Sequence, residues 1–110
     1  MNESEFVFVY STFPDAATAR NVGAALVGER LAACVNIHAP MTSIYRWEGE
    51  VQTETEVGAF IKTRADLVPR AIERARAMHP YSVPCFLVLP IAGGNDDYLA
   101  WARDQLYPPD

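Results

Sequence analysis

The residues best suited to chemistry gather first in Met78-His79-Pro80-Tyr81, which places an imidazole, a thioether and a phenol at one helix end. Such a set could hold a soft or borderline metal, above all with Cys34 or Cys85 close by. The structural alternative is that His79 caps the last carbonyls of a helix and Tyr81 packs on the core. Cys34 stands beside Ala32, Ala33 and Val35, and Cys85 begins the run Cys85 to Leu89. Both read as buried, inert thiols. Glu48, Glu50, Glu54 and Glu56 crowd a second segment, where they could bind a hard cation or share acid–base work, with Lys62 as counter-charge. A solvated, solubilising edge is the plainer account of them. Trp47 and Trp101 suit the wall of a ligand site or a subunit contact.

Composition narrows the field. With 110 residues, half of them apolar and 21% charged, the chain is expected to fold as one domain over residues 1–110. Nine Lys and Arg against fourteen Asp and Glu leave a net charge of −5. No positive cluster is available to neutralise phosphates, so nucleic acid is not an expected partner. The start Met1-Asn2-Glu3-Ser4-Glu5 is acidic, unlike a signal peptide. The longest apolar runs, such as Phe6 to Tyr10, fall well short of the ~20 residues that span a bilayer. A cytoplasmic location without a membrane span is expected, with both cysteines reduced. CxxC, GxGxxG, Walker and GxSxG patterns are absent, and no enzyme class is expected.

These residues must be positioned by a short list of elements. Phe6 to Tyr10 reads as a central strand. Thr12, Pro14 and Asp15 suit a helix start, and Ala16, Ala19, Val22, Gly23 and Leu26 recur at helical spacing, predicting a helix over 14–29. Its small residues predict close packing on a sheet. Leu31 to Ile37 returns to strand, interrupted at Ala39-Pro40, and resumes from Met41 to Trp47. Glu48-Gly49 is a tight turn, after which a strand runs from Glu50 to Thr63 with Val51, Val57, Ala59 and Ile61 on one face and Gln52, Glu54, Glu56 and Lys62 on the other. A second helix opens at Asp66 and Pro69, turns Val68, Ile72, Ala75 and Met78 or His79 inward, and stops at Pro80. Val83 to Ile91 reads as a last strand. Asp96 or Asp97 caps a terminal helix carrying Tyr98, Leu99, Trp101 and Leu106.

The order β-α-β-β-α-β-α predicts an α+β fold, a ferredoxin-like sandwich with an antiparallel sheet, a long hairpin and an added C-terminal helix. Val51 to Thr63 alone would extend for about 43 Å at ~3.3 Å per residue. A compact chain of this size is only about 34 Å across. The hairpin must bend sharply or protrude, and its tip carries Ile44, Tyr45 and Trp47. A protruding apolar hairpin needs a cover, which predicts oligomerisation.

Several stretches resemble the CutA family of divalent-cation tolerance proteins: Ser11 to Asp15, Glu29 to Asn36, Ser43 to Gly49, Glu54, Glu56, Lys62-Thr63, His79-Pro80-Tyr81 and Asp97 to Trp101. The resemblance runs from about Phe6 to Leu106. It implies a homotrimer of ferredoxin-like subunits, a role in the response to copper or another divalent cation, no established catalysis and no cofactor required for folding. It also implies metal positions at the end of the first strand and just before Pro-Tyr, which here are Ser11, Met78 and His79. Ser11 supplies no thiolate and Met78 only a thioether, so weak binding or regulation is implied. The acidic residues usual after His-Pro-Tyr and after the next Pro are here Ser82 and Cys85. The architecture resembles P-II signalling trimers as well. That implies, as an alternative, a small ligand in an intersubunit cleft formed from Cys34, Trp47, Glu54, Glu56, Lys62, Tyr81, Cys85 and Trp101.

Overall fold

A computed structural model describes residues 5–109. Five strands and three α-helices follow in the order β1 Phe6–Phe13, α1 Ala16–Gly28, β2 Cys34–Ile37, β3 Met41–Trp47, β4 Glu50–Arg64, α2 Val68–Met78, β5 Phe86–Pro90 and α3 Asp96–Gln105. A single 3-10 turn, Ala65–Leu67, leads into α2. The sheet order is β2-β4-β1-β5, with β3 paired to the first half of β4 and the neighbouring strands antiparallel. This is the split β-α-β sandwich expected, with its second strand broken into β2 and β3 around Ala39-Pro40.

Alternation in β1 and β4 divides the sheet into two unlike faces. Val7, Val9 and Phe13 with Val57, Ala59 and Ile61 meet α1 through Ala19, Val22 and Leu26, and α2 through Ala71 and Ala75. Gly23 brings α1 close to the sheet: a Cβ there would lie 3.2 Å from Val35 Cγ1. The opposite face carries Phe60 with Phe8, Tyr10 and His38 around it, their ring centres 4.9–5.6 Å from that of Phe60. A second apolar cluster (Phe6, Ala33, Leu67, Ala102 and Leu106) docks α3. Two arginines hold its end. Arg30 donates to the carbonyls of Asp104, Gln105 and Leu106, and Arg64 donates to Tyr107 O at 2.7 Å, satisfying acceptors that a helix terminus leaves open.

Several boundaries differ from the sequence reading. β1 runs on to Phe13 because Ser11, Thr12 and Phe13 stay paired with Ala59, Gly58 and Val57. Asp15, not Thr12, caps α1 by accepting from Thr18 N at 2.8 Å. Leu31 and Ala32 leave the ladder, since their N–H groups bond back to Leu26 O at the end of α1. Val83 to Cys85 also stand outside the strand. Helix α3 begins at Asp96 after Asn95, and Asp97 accepts from its neighbour's N–H instead of capping the helix.

β4 spans 15 residues and the molecule measures 44 × 31 × 24 Å, so the hairpin protrudes along the long axis. Its turn places Glu48 at φ 51° and Gly49 at φ 81°, the left-handed pair that a two-residue hairpin loop requires. Val51 was expected on the core face, yet it is exposed because the core ends at Val57.

One ion pair ties the start of the described chain to α3, and a second is local to the start of α2. Arg103 grips Glu5 at 2.7 Å and Arg64 grips Asp66, and these hydrogen bonds hold both carboxyls below their usual range. A group with a depressed folded pKa stabilises above its unfolded value and loses that contribution as pH falls through the folded one. Urea midpoints are therefore expected to hold near neutrality and drop below about pH 4. Asp66→Asn should flatten the acid limb, and an acid limb unchanged in that variant would refute the assignment.

Candidate functional site: a cleft at the base of the hairpin

Loop 79–85 folds back from the end of α2 against the open face of the sheet. His79 begins the turn. Its Nε2–H donates to Thr12 O at 2.8 Å, and its Nδ1 accepts from Tyr81 N–H at 3.2 Å. These partners fix the neutral Nε2–H tautomer. The ring is buried, stacks on Phe13 at 4.8 Å and meets Phe86 edge-on at 5.9 Å. The imidazole thus caps the end of β1; it does not cap the carbonyls of α2, because the chain turns away in extended conformation at His79.

The turn delivers Tyr81 to Glu56, and the phenol donates to Glu56 Oε2 at 2.9 Å. Burial and the Glu56 charge push the Tyr81 hydroxyl far above its ordinary pKa. The same two causes, burial first, raise the Cys85 thiol and keep it protonated. Glu56 is only 9% exposed, so it does not belong to the solvated edge expected for the hairpin glutamates. Its burial comes from a loop 25 positions further on.

Around this pair lies a cleft of about 510 Å³, lined by Thr12, Ser43, Tyr45, Trp47, Glu56, Tyr81, Ser82, Val83 and Cys85. Strand register explains the lining. Met41 pairs with Glu56, so Ser43, Tyr45 and Trp47 follow on the same face of β3. Ser43, Tyr45, Thr12, Ser82 and Val83 were not assigned to the site from sequence. The period-two run Ser43, Tyr45, Trp47 was the signal available for three of the lining positions.

The residues expected in one cleft divide into two groups. Trp47, Glu56, Tyr81 and Cys85 line it, and Glu54 is near enough for its charge to act on Tyr81. Cys34, Lys62 and Trp101 lie elsewhere on the open face. Cys34 pairs with Lys62 across β2 and β4, and Trp101 packs on Tyr98 at 5.5 Å. Among the described residues Lys62 pairs with no glutamate. Its ammonium sits 5.7 Å from the Phe8 ring centre and 5.5 Å from that of Tyr98, so cation–π attraction takes the place of an ion pair.

Ser11 and Met78 fall on the helix side of β1. Ser11 is fully buried, pairs with Ala59 and Phe86, and its Oγ has no hydrogen-bond partner among the described residues; Met78 packs against the main core. Among the described residues no group of three or more His, Cys, Asp or Glu is placed to hold a metal ion. A buried, unpaired hydroxyl costs about 1–3 kcal/mol. Ser11→Ala is therefore expected to raise stability by about 1 kcal/mol in urea denaturation, and a loss of stability would reveal a partner for the hydroxyl.

A split β-α-β sandwich with α1 and α2 on one face and a ligand-sized cleft on the other defines the class: a ferredoxin-like subunit. The chain belongs to the CutA1 divalent ion tolerance protein family, whose model matches residues 7–105. It is 50% identical over 97 residues to the divalent-cation tolerance protein CutA of Thermus thermophilus, covering 88% of this chain and 94% of that one. The solved structure of the Thermus thermophilus protein superposes with a TM-score of 0.89 at 47% identity, covering 93% of this chain and 99% of that one. The human protein CutA is 42% identical over 86% of this chain, which spans only 52% of its length. The plant and mouse relatives are likewise matched over 53–56% of their lengths. The family is one of divalent-cation tolerance proteins and is not a known enzyme family. No helix among the described residues is long and apolar enough to cross a membrane.

Proposed function

We propose that this chain acts in the cytoplasm, in the response to copper or another divalent cation, as a non-catalytic homotrimer that binds its ligand weakly at the hairpin-base cleft. The observation that carries this reading is the Glu56–Tyr81 pair, a nearly buried carboxylate at the floor of an open cleft. Charge is costly to bury without a partner, so a carboxylate in this position favours a positively charged occupant. His79 serves by holding the turn that presents Tyr81. Metal coordination by His79, with Ser11 and Met78, would require the ring to give up its bonds to Thr12 and Tyr81.

Association supports the same reading. Ile44, Val51 and Leu87 are 70%, 62% and 60% exposed, an apolar hairpin tip and an apolar sheet edge on one small subunit. A hairpin laid on a neighbour's β5 edge is a head-to-tail contact, and such contacts bury both surfaces when they close into a ring. Calorimetric titration with Cu(II) and Zn(II) tests the cleft: modest binding that Glu56→Gln abolishes and Ser11→Ala leaves intact is expected. Binding untouched by Glu56→Gln would move the site elsewhere.

A further inference from the structure

The cleft has a composition that selects among cations. Of its lining residues none is Lys, Arg or His, so an anion entering it would meet the Glu56 charge uncompensated. Tyr45 and Trp47 stand on β3 as walls, each partly exposed toward the opening. Glu56 Oε2 is engaged by Tyr81, while Oε1 makes no hydrogen bond among the described residues. A compact metal ion needs four or more strong donors at short range. Among the lining residues Glu56 is the one carboxylate, with Glu54 next on that face of β4 opposite Ser43. The phenol is already donating, so a metal ion would be held only weakly.

We propose that this cleft takes an organic cation of the alkylated ammonium class, held between the faces of Trp47 and Tyr45 with Glu56 as counter-ion. The proposal rests on the reading of the cleft as the ligand site, and adds the chemical class of its occupant. A diffuse cation carries methyl groups that pack on aromatic faces, and the ring quadrupole attracts its charge. Weak hydration makes such a cation easier to bring into a half-dry cleft than a divalent metal ion, which must exchange its water for fixed donors. The carboxylate oxygen left without a partner then gains one.

The test uses tetramethylammonium chloride, with sodium chloride matching the ionic strength and tert-butanol as the uncharged analogue. Trp47 fluorescence is read in a Trp101→Phe background, and calorimetry is used for variants at Trp47. Saturable quenching by tetramethylammonium is expected, without saturation by tert-butanol, and with affinity falling about tenfold or more in Glu56→Gln. Trp47→Leu, a change at a partly exposed wall, should weaken binding several-fold without unfolding the chain. Equal response to tert-butanol would overturn the charge argument, and full affinity in Glu56→Gln or Trp47→Leu would overturn the assigned residues. Cu(II) or Zn(II) binding lost in Glu56→Gln, with no tetramethylammonium binding, would sink the organic-cation proposal while the cleft reading stands. No binding of any of these cations would sink both.

Discussion

His79→Ala is expected to destabilise the fold by about 3–5 kcal/mol, the range for deleting a large buried ring from a packed site. Three losses combine. The ring leaves a void between Phe13 and Phe86, which it contacts at 4.8 and 5.9 Å. Thr12 O loses a donor at the end of β1, and Tyr81 N–H loses its acceptor, each worth about 1 kcal/mol. The turn that aims Tyr81 at Glu56 loses its anchor as well, so the cleft should loosen beyond what stability alone reports. Urea denaturation gives the first quantity, and the Tyr81→Phe change made in both backgrounds gives the second. If the imidazole anchors the turn, Tyr81→Phe costs less in the alanine background than in the wild type. A His79→Ala protein with an unchanged urea midpoint but without Cu(II) or Zn(II) binding would instead make the imidazole a metal ligand.

The same residue shows how far the sequence could be read. That His79 stands at a helix end before a rigid turn follows from Pro80 and the helical spacing before it. Which carbonyl its ring would meet does not, because Thr12 is 67 positions away and reaches His79 only once β1 and α2 are packed. The bounds of the hairpin were legible: β3, its turn and the start of β4 depend on alternation and on a two-residue loop, both local properties. Hydroxyls misled at Ser11-Thr12, where cap-forming residues turned out to continue a central strand, since long-range pairing with β4 outweighs local preference. Glu56 misled for a related reason. Its place in the alternating pattern is correct, but alternation says which face a side chain takes and not what later covers that face. Lys62 points the way expected, and there the partner differs: two aromatic rings in place of a carboxylate.

The hairpin carries the second large effect. Ile44 and Val51 lie on the face of the hairpin opposite Ser43, Tyr45 and Trp47, because Val51 pairs with Arg46, two positions on from Ile44. Both are among the most exposed apolar side chains of the subunit. In a homotrimer each would be covered by a neighbour, at about 1.5–3 kcal/mol per fully buried side chain. Three copies of the pair then contribute enough that losing them decides assembly. The double change Ile44→Lys and Val51→Lys replaces that burial with charge that cannot be desolvated cheaply, while leaving the cleft-facing residues of β3 in place. Sedimentation velocity is expected to show the wild type at three times the 12.2 kDa subunit mass and the double variant largely at one. The variant should also unfold at lower urea, since a domain of this size buries only about two-thirds of its unfolded surface unaided. A wild type sedimenting as one copy would remove the homotrimer outright. A double variant that remains a trimer would place the contact on the β5 edge, where Leu87 to Leu89 supply the other exposed apolar strip, and would leave the protruding hairpin without an oligomeric role.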